Sequence, residues 1–189
     1  MTFPSPAGRA MDRVMDVGTN RCGECSVCCE VLTFALAGAL KPSGVMCPHC
    51  RAPSGCGIYQ TREEVCRSYY CGWRHLDLPD EWRPDRSHFL ISLRPGPDGS
   101  TPGVEFTLLG ADSGLDWLPF LKFLAALADQ ATPVYLSLLG EPGWQSPWVH
   151  LNAIAVLIEG LKGRDLGRIK TGLGEALAIC RAQPKRAIS

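Results

Sequence analysis

Apolar residues recur with the regularity of secondary structure from Leu76 onward, whereas before it they are scattered among glycines, prolines and thiols. Phe89 to Arg94 and Val104 to Leu109 read as strands, and the turn-rich Pro95-Gly96-Pro97-Asp98-Gly99-Ser100 between them predicts a hairpin. Leu118, Leu121, Leu124 and Leu127 form an apolar stripe that predicts a helix over 115–130, with Pro119 tolerated in its first turn. Val134 to Leu139 reads as a third strand, stopped by Gly140-Glu141-Pro142-Gly143. Trp148 to Ile158 fits either a strand or a helix. Leu166, Ile169, Leu173 and Leu177 predict a terminal helix over 165–181, with Cys180 as a small buried hydrophobe on its inner face.

The earlier region is less periodic. Residues 1–20 hold Pro4, Pro6, Gly8 and Gly18, which predicts a flexible arm with a short amphipathic run over 9–17. Val31 to Leu40 is apolar and partly alternating, a strand or a buried helix, and Lys41-Pro42-Ser43-Gly44 is a turn. Thr61-Arg62-Glu63-Glu64 has the form of a capping box. It predicts a helix over 62–70 that carries Cys66 along its length and ends near Cys71 and Gly72. The expected fold class is α+β. A small cysteine-rich metal-binding module of loops and short helices (21–75) follows the arm (1–20) and precedes a small α+β portion (76–189).

Charge and hydropathy narrow the function classes. With 19 basic and 19 acidic residues there is no basic excess to attract phosphates, so no nucleic-acid partner is expected. No signal-peptide core opens the chain, and the longest apolar stretches are too short to span a bilayer. The expectation is a cytoplasmic protein with no membrane association. In that compartment thiols stay reduced, so an array of cysteines reads as metal-binding or catalytic rather than as a disulfide framework.

The array is dense: nine of the ten cysteines lie between Cys22 and Cys71. The opening C-x-x-C-x-x-C-C has the spacing at which a tight turn presents two sulfurs to one ion, and Gly23 gives that turn its backbone freedom. Neighbouring side chains in an extended segment point to opposite sides, so Cys28 and Cys29 suit two separate sites better than one ion. The candidate metal ligands are Cys22, Cys25, Cys28, Cys29, Cys47, Cys56, Cys66 and Cys71, enough for two four-cysteine sites or one polynuclear site. Zinc or iron is the expected cofactor. An iron–sulfur cluster is the variant suggested by the close set Cys22, Cys25 and Cys28, with Cys47-Pro48 as its remote fourth ligand.

Other chemistry is weaker. Cys47-Pro48-His49-Cys50 has the form of a dithiol redox centre, but it lacks the strand-before, helix-after setting of such oxidoreductases. His49 reads as a loop histidine more readily than as a further metal ligand, and His75, His88 and His150 stand apart. Tyr69, Tyr70 and Trp73 are expected to pack over the thiols; Arg67 and Arg74 either offset the charge of clustered thiolates or, the commoner finding, lie on a solvated face. No catalytic constellation is visible, and docking of an unidentified protein partner by a zinc module is a further expectation.

In order and spacing these residues resemble the YkgJ-like cysteine-cluster proteins, described as zinc- or iron-chelating domains. The matching elements are Cys22 to Cys29, Lys41-Pro42-Ser43-Gly44 with Cys47, Gly55-Cys56-Gly57-Ile58-Tyr59, and Cys66-Arg67-Ser68-Tyr69-Tyr70-Cys71-Gly72-Trp73. The resemblance covers roughly the first 75 residues and implies metal chelation. A flagellin lysine methylase carries a similar cluster, which gives an analogy for an iron–sulfur accessory role in electron transfer or protein modification. Two departures stand out. Arg62-Glu63 replaces the Arg-Pro common before the last cysteine pair, and Cys50 is additional to the eight-cysteine set and is placed outside the main site.

Overall fold

The computed structural model describes residues 20–188 apart from 37, 52 and 96–101, so the predicted N-terminal arm and most of the 95–100 turn lie outside it. Mixed α+β architecture is what it shows, with seven α-helices and two small sheets among the described residues.

Helix α1 (Val27–Val31) carries Cys28 and Cys29. Strands β1 (Phe34–Leu36) and β2 (Ala39–Lys41) follow, paired antiparallel with Phe34 opposite Lys41. The 31–40 stretch is therefore a tight hairpin rather than one strand or one helix, turned by Gly38 at φ +82.

The helix expected over 62–70 is shorter than its pattern suggests. Helix α2 covers only Glu64–Ser68, Glu63 rather than Thr61 stands at its N-cap, and no side chain caps it. Tyr69 leaves the helix with extended backbone (ψ 127), which takes its hydroxyl to within 3.3 Å of the Ser92 hydroxyl on the main sheet. Cys71 then enters the core at 5 % exposure and opens a separate short helix, α3 (Gly72–His75). A helix of five residues has little cooperative stability of its own, so the Tyr69–Ser92 contact and the burial of Cys71 override the local capping signal.

A 3₁₀ turn at Asp80–Trp82 and helix α4 (Pro84–Ser87) lead into the main sheet. Strands β3 (Phe89–Pro95) and β4 (Pro102–Leu108) form the predicted antiparallel pair, with Phe89 opposite Leu108. Helix α5 (Leu118–Asp129) is the crossover that lets β5 (Val134–Leu138) run parallel to β4. The ambiguous 148–158 stretch holds both candidates in series: β6 (Trp148–His150) at the far edge, a 3₁₀ turn at Leu151–Ala153, and the start of helix α6 (Ala155–Gly163). Helix α7 (Leu166–Ala182) packs on α6 and begins at Asp165, whose carboxylate accepts from the Arg168 amide at 3.1 Å.

The core is built on stacked and edge-on rings. Phe89 and Phe120 stack at 4.6 Å, and Phe106 meets Phe120 edge-on at 5.2 Å. Val31, Cys71 and Trp73 belong to this same core, so the cysteine region is built into the α+β body. The junction is close. A methyl group at Gly72 would lie 2.3 Å from the Ile91 Cγ2, while the Tyr69 hydroxyl meets Ser92. Ile91 and Ser92 are successive on the edge strand β3 and face opposite sides of the sheet. Residues 69–72 thus clasp that edge strand, with contacts to side chains of both faces. Among the described residues no helix is long and apolar enough to cross a membrane.

Candidate metal centre

Cys22, Cys25, Cys28, Cys29, Cys47, Cys56, Cys66 and Cys71 all line one cavity of about 230 Å³. All ten cysteines of the chain are free thiols. Cys50 lies outside the lining, although His49 contributes to it. Leu32, Phe34, Ile58, Val65, Tyr69 and Trp73 supply apolar wall. Among the described residues no three His, Cys, Asp or Glu side chains are already drawn together tightly enough to enclose one ion. The thiols face one another across the cavity, and their chemistry is that of a zinc or iron–sulfur donor set.

Backbone turns place the thiols. The Cys25 amide donates to the Cys22 carbonyl at 2.9 Å, closing the first C-x-x-C turn with Gly23 at φ +54. Cys28 and Cys29 sit on α1, not on an extended segment as the sequence reading assumed, so their side chains diverge by about 100° around the helix axis. That is enough to separate them. The Cys28 thiol lies beside Cys71 and faces Cys25 and Cys22. The Cys29 thiol lies beside Cys50 and faces Cys47 and Cys56. On the turn of α1 Cys28 thus lies toward Cys71, and Cys29 toward Cys47. The two loops also meet directly: a Cβ at Gly55 would come within 3.0 Å of the Gly23 carbonyl.

Burial and crowding govern the thiol acidities. Burial pushes Cys25 up to about 11, and burial followed by the charge of Cys50 pushes Cys29 up to about 12. Donating a hydrogen bond to Cys71 holds Cys28 well above the ordinary thiol range. The same bond is the main cause that brings Cys71 down to about 7, against its burial, and the Arg74 and Trp73 amides that face its sulfur add to it. Cys66 is raised by burial first and then by Cys47 and Cys56.

Two buried cations attend the thiols. Arg74, at 6 % exposure, donates from Nε to the Asn20 carbonyl at 2.8 Å and from Nη1 to the Cys22 sulfur at 3.8 Å. Its guanidinium also lies 4.4 Å over the Tyr70 ring. Lys41, at 5 % exposure, donates from Nζ to the carbonyls of Glu30 (2.5 Å) and Leu32 (2.7 Å), tying down the end of α1. Burial lowers its pKa, with the charges of Cys47 and Cys29 acting against the shift. The expectation of a solvated face holds for Arg67, which pairs with Glu64 in the open, but not for Arg74. Lys41 was legible only as a turn residue; its sole signal was its place in the Lys-Pro-x-Gly element of the resemblance.

The remaining candidates divide between the cavity and the rest of the fold. Tyr69 and Trp73 line the cavity as expected, whereas Tyr70 turns to His75, edge-on at 5.6 Å. His88 ends α4 in the left-handed region (φ 59), and His150 stacks on Tyr135 at 4.8 Å. Cys180 is 1 % exposed with its sulfur 3.7 Å from the Leu136 carbonyl, and burial pushes it up to about 11. It is the small buried hydrophobe that the sequence suggested. Comparison of the chain with protein-family models, with curated proteins and with solved structures found no match.

Proposed function

We propose that this chain is a metal-chelating protein that holds zinc or iron through thiolates of Cys22, Cys25, Cys28, Cys29, Cys47, Cys56, Cys66 and Cys71. The observation that carries the reading is the convergence of all eight on one cavity, as free thiols, from segments as far apart as residues 22 and 71. Side-by-side thiols are a poor way to fill a core, and as thiolates they repel one another unless a cation lies among them. The buried Arg74 and Lys41 supply part of that positive charge. A bound ion would supply the rest and cross-link the first loop, α1 and α3. The same residues carry the resemblance to the YkgJ-like cysteine-cluster proteins.

A second reading is an iron–sulfur centre serving electron transfer or a protein-modification reaction. It is favoured by the triad Cys22, Cys25 and Cys28 with Cys71 as the one remote thiol, the three-plus-one arrangement of cluster-binding loops. Colour separates the two. Anaerobically purified protein that is brown and loses its colour with its iron supports the cluster, whereas colourless protein with bound zinc excludes it.

Metal and folding should be linked, because Cys71 is at once a cavity thiol and a core residue. A ligand present at 100 times its dissociation constant stabilises the folded state by about 2.7 kcal/mol. For a chain of this size that is roughly 5–11 °C in Tm. Complete removal of metal by a chelator under reducing conditions is expected to lower Tm by that order. An unchanged Tm after verified removal would refute metal as part of the fold.

A further inference from the structure

The backbone links Cys29, Cys47, Cys50 and Cys56 in one series. The Cys47 amide donates to the Cys29 carbonyl at 2.9 Å, and the Cys50 amide donates to the Cys47 carbonyl at 2.9 Å. Cys50 and Cys56 then face each other in an isolated antiparallel bridge. Around that bridge the Arg51 amide donates to the Gly55 carbonyl at 2.7 Å, and the Gly57 amide donates to the His49 carbonyl at 2.8 Å. Bonds on either side and none between the two cysteines themselves define a non-hydrogen-bonded pair. In such a pair the Cα atoms are about 4.5 Å apart and both side chains leave the same face. Cys56 lines the cavity; Cys50 lies beside it on the same face of the bridge, outside the lining itself and toward Cys29.

Cys66 has no comparable link. It sits on α2, a five-residue helix with no buried residue, and its amide donates only to the Glu63 carbonyl of its own segment. It approaches Cys47 and Cys56 from the cavity side, beside Arg62.

We infer that the module holds two metal ions in separate thiolate centres, and that Cys50 is a ligand of the second. The first centre is Cys22, Cys25, Cys28 and Cys71. The second is Cys29, Cys47, Cys50 and Cys56, and Cys66 remains a free thiol on the cavity wall. The ligand class is a soft or borderline divalent cation, zinc or ferrous iron, in four-sulfur coordination. Each ligand thiol gives its proton to solvent as its sulfur binds. The inference rests on the chelation reading above and replaces one of its ligands, Cys66, with a thiol that spacing alone had set aside. It also gives Cys28 and Cys29 their roles: one helix turn carries a ligand for each centre.

The test is zinc titration of the full-length reduced chain, with metal counted per chain after desalting, for the wild type, Cys50→Ser and Cys66→Ser. The wild type should retain two zinc ions, Cys66→Ser two, and Cys50→Ser one. Alkylation of the zinc-loaded wild type, read residue by residue by mass spectrometry, covers the case in which a variant does not fold. Cys66 and Cys180 are the thiols outside both centres; Cys66 should be modified at least 10-fold faster than Cys50. Two zinc ions on Cys50→Ser, or rapid modification of Cys50 with protection of Cys66, would overturn the inference and leave the chelation reading intact. A Cys50–Cys56 disulfide in freshly purified protein would also overturn it. A wild type that retains no zinc or iron would overturn both.

Discussion

Gly72→Ala places a methyl group where the cysteine module meets the sheet, and two effects of opposite sign compete there. Gly72 is the first residue of α3 and its φ is not positive, so alanine meets no backbone strain and gains up to about 1 kcal/mol of helix propensity. Against this, the new Cβ would lie 2.3 Å from the Ile91 Cγ2, 2.8 Å from its Cβ and 3.2 Å from its carbonyl oxygen. Ordinary carbon–carbon contact is about 3.5–4.0 Å, so the two segments must separate by roughly 1 Å. Ile91 has nowhere to go: it is 0 % exposed and paired with Phe106 across the sheet. Overpacking of this kind costs about 1–3 kcal/mol, which outweighs the propensity gain at most of its range. The expected net loss is ~1–2 kcal/mol, or roughly 2–8 °C in Tm for a chain of this size. A double-mutant cycle isolates the contact. Ile91→Ala alone should cost about 2–5 kcal/mol through the cavity it leaves. With Gly72→Ala filling part of that cavity, the pair should be at least ~0.5 kcal/mol more stable than the sum of the single losses. Thermal and denaturant unfolding of the four proteins measures this. A Gly72→Ala protein as stable as the wild type, or strict additivity in the cycle, would refute the clasp of residues 69–72 on β3.

Three further substitutions probe separate parts of the fold. Gly172→Ala would set a Cβ 2.5 Å from the Leu157 Cβ and 2.7 Å from its Cα, so α6 and α7 must part; a loss of about 1–3 kcal/mol is expected by denaturant unfolding, and a neutral result would contradict the close approach. Lys41→Met keeps the buried stem but removes the donor to the Glu30 and Leu32 carbonyls, with an expected loss of about 1–3 kcal/mol; equal stability would show that the ammonium does not hold the end of α1. Cys180→Ala removes one buried sulfur far from the cavity and should cost about 1 kcal/mol while leaving the metal count unchanged; a lost metal ion would place Cys180 in a centre.

The sheet and the long helices were legible because each buries a periodic face. Leu121, Leu124 and Leu127 face the core on α5, and Ile169, Leu173 and Leu177 face it on α7, whereas Leu118 and Leu166 of the same stripes are exposed at the first residue of each helix. Periodicity was uninformative over 148–158 because β6 and the start of α6 each occupy too few residues to show a repeat. The capping box at Thr61 misled because it is a local signal, whereas the contacts of Tyr69 and Cys71 that end α2 involve partners more than twenty residues away. Spacing identified the cavity thiols but not their grouping. That depends on α1 being helical at Cys28-Cys29, and on the Cys50–Cys56 pairing across a turn at Gly55. The Pro53-Ser54-Gly55 turn was visible in the chain; what it brings together was not. Arg74 was named beside the thiolates, but its burial and that of Lys41 were not legible, because nothing local distinguishes a lysine or arginine that will be enclosed from one that will be solvated.

The central claim is that the cavity thiols hold metal. The most direct measurement is elemental analysis of the full-length chain, purified anaerobically without added metal or chelator, together with a Cys28→Ser/Cys29→Ser protein prepared in parallel. Chelation predicts zinc or iron in whole-number stoichiometry to the wild-type chain, and loss of most of it when both helix thiols are gone, because one belongs to each cluster of contacts. Folded wild-type protein with no zinc and no iron, or a double variant that retains the full amount, would contradict it.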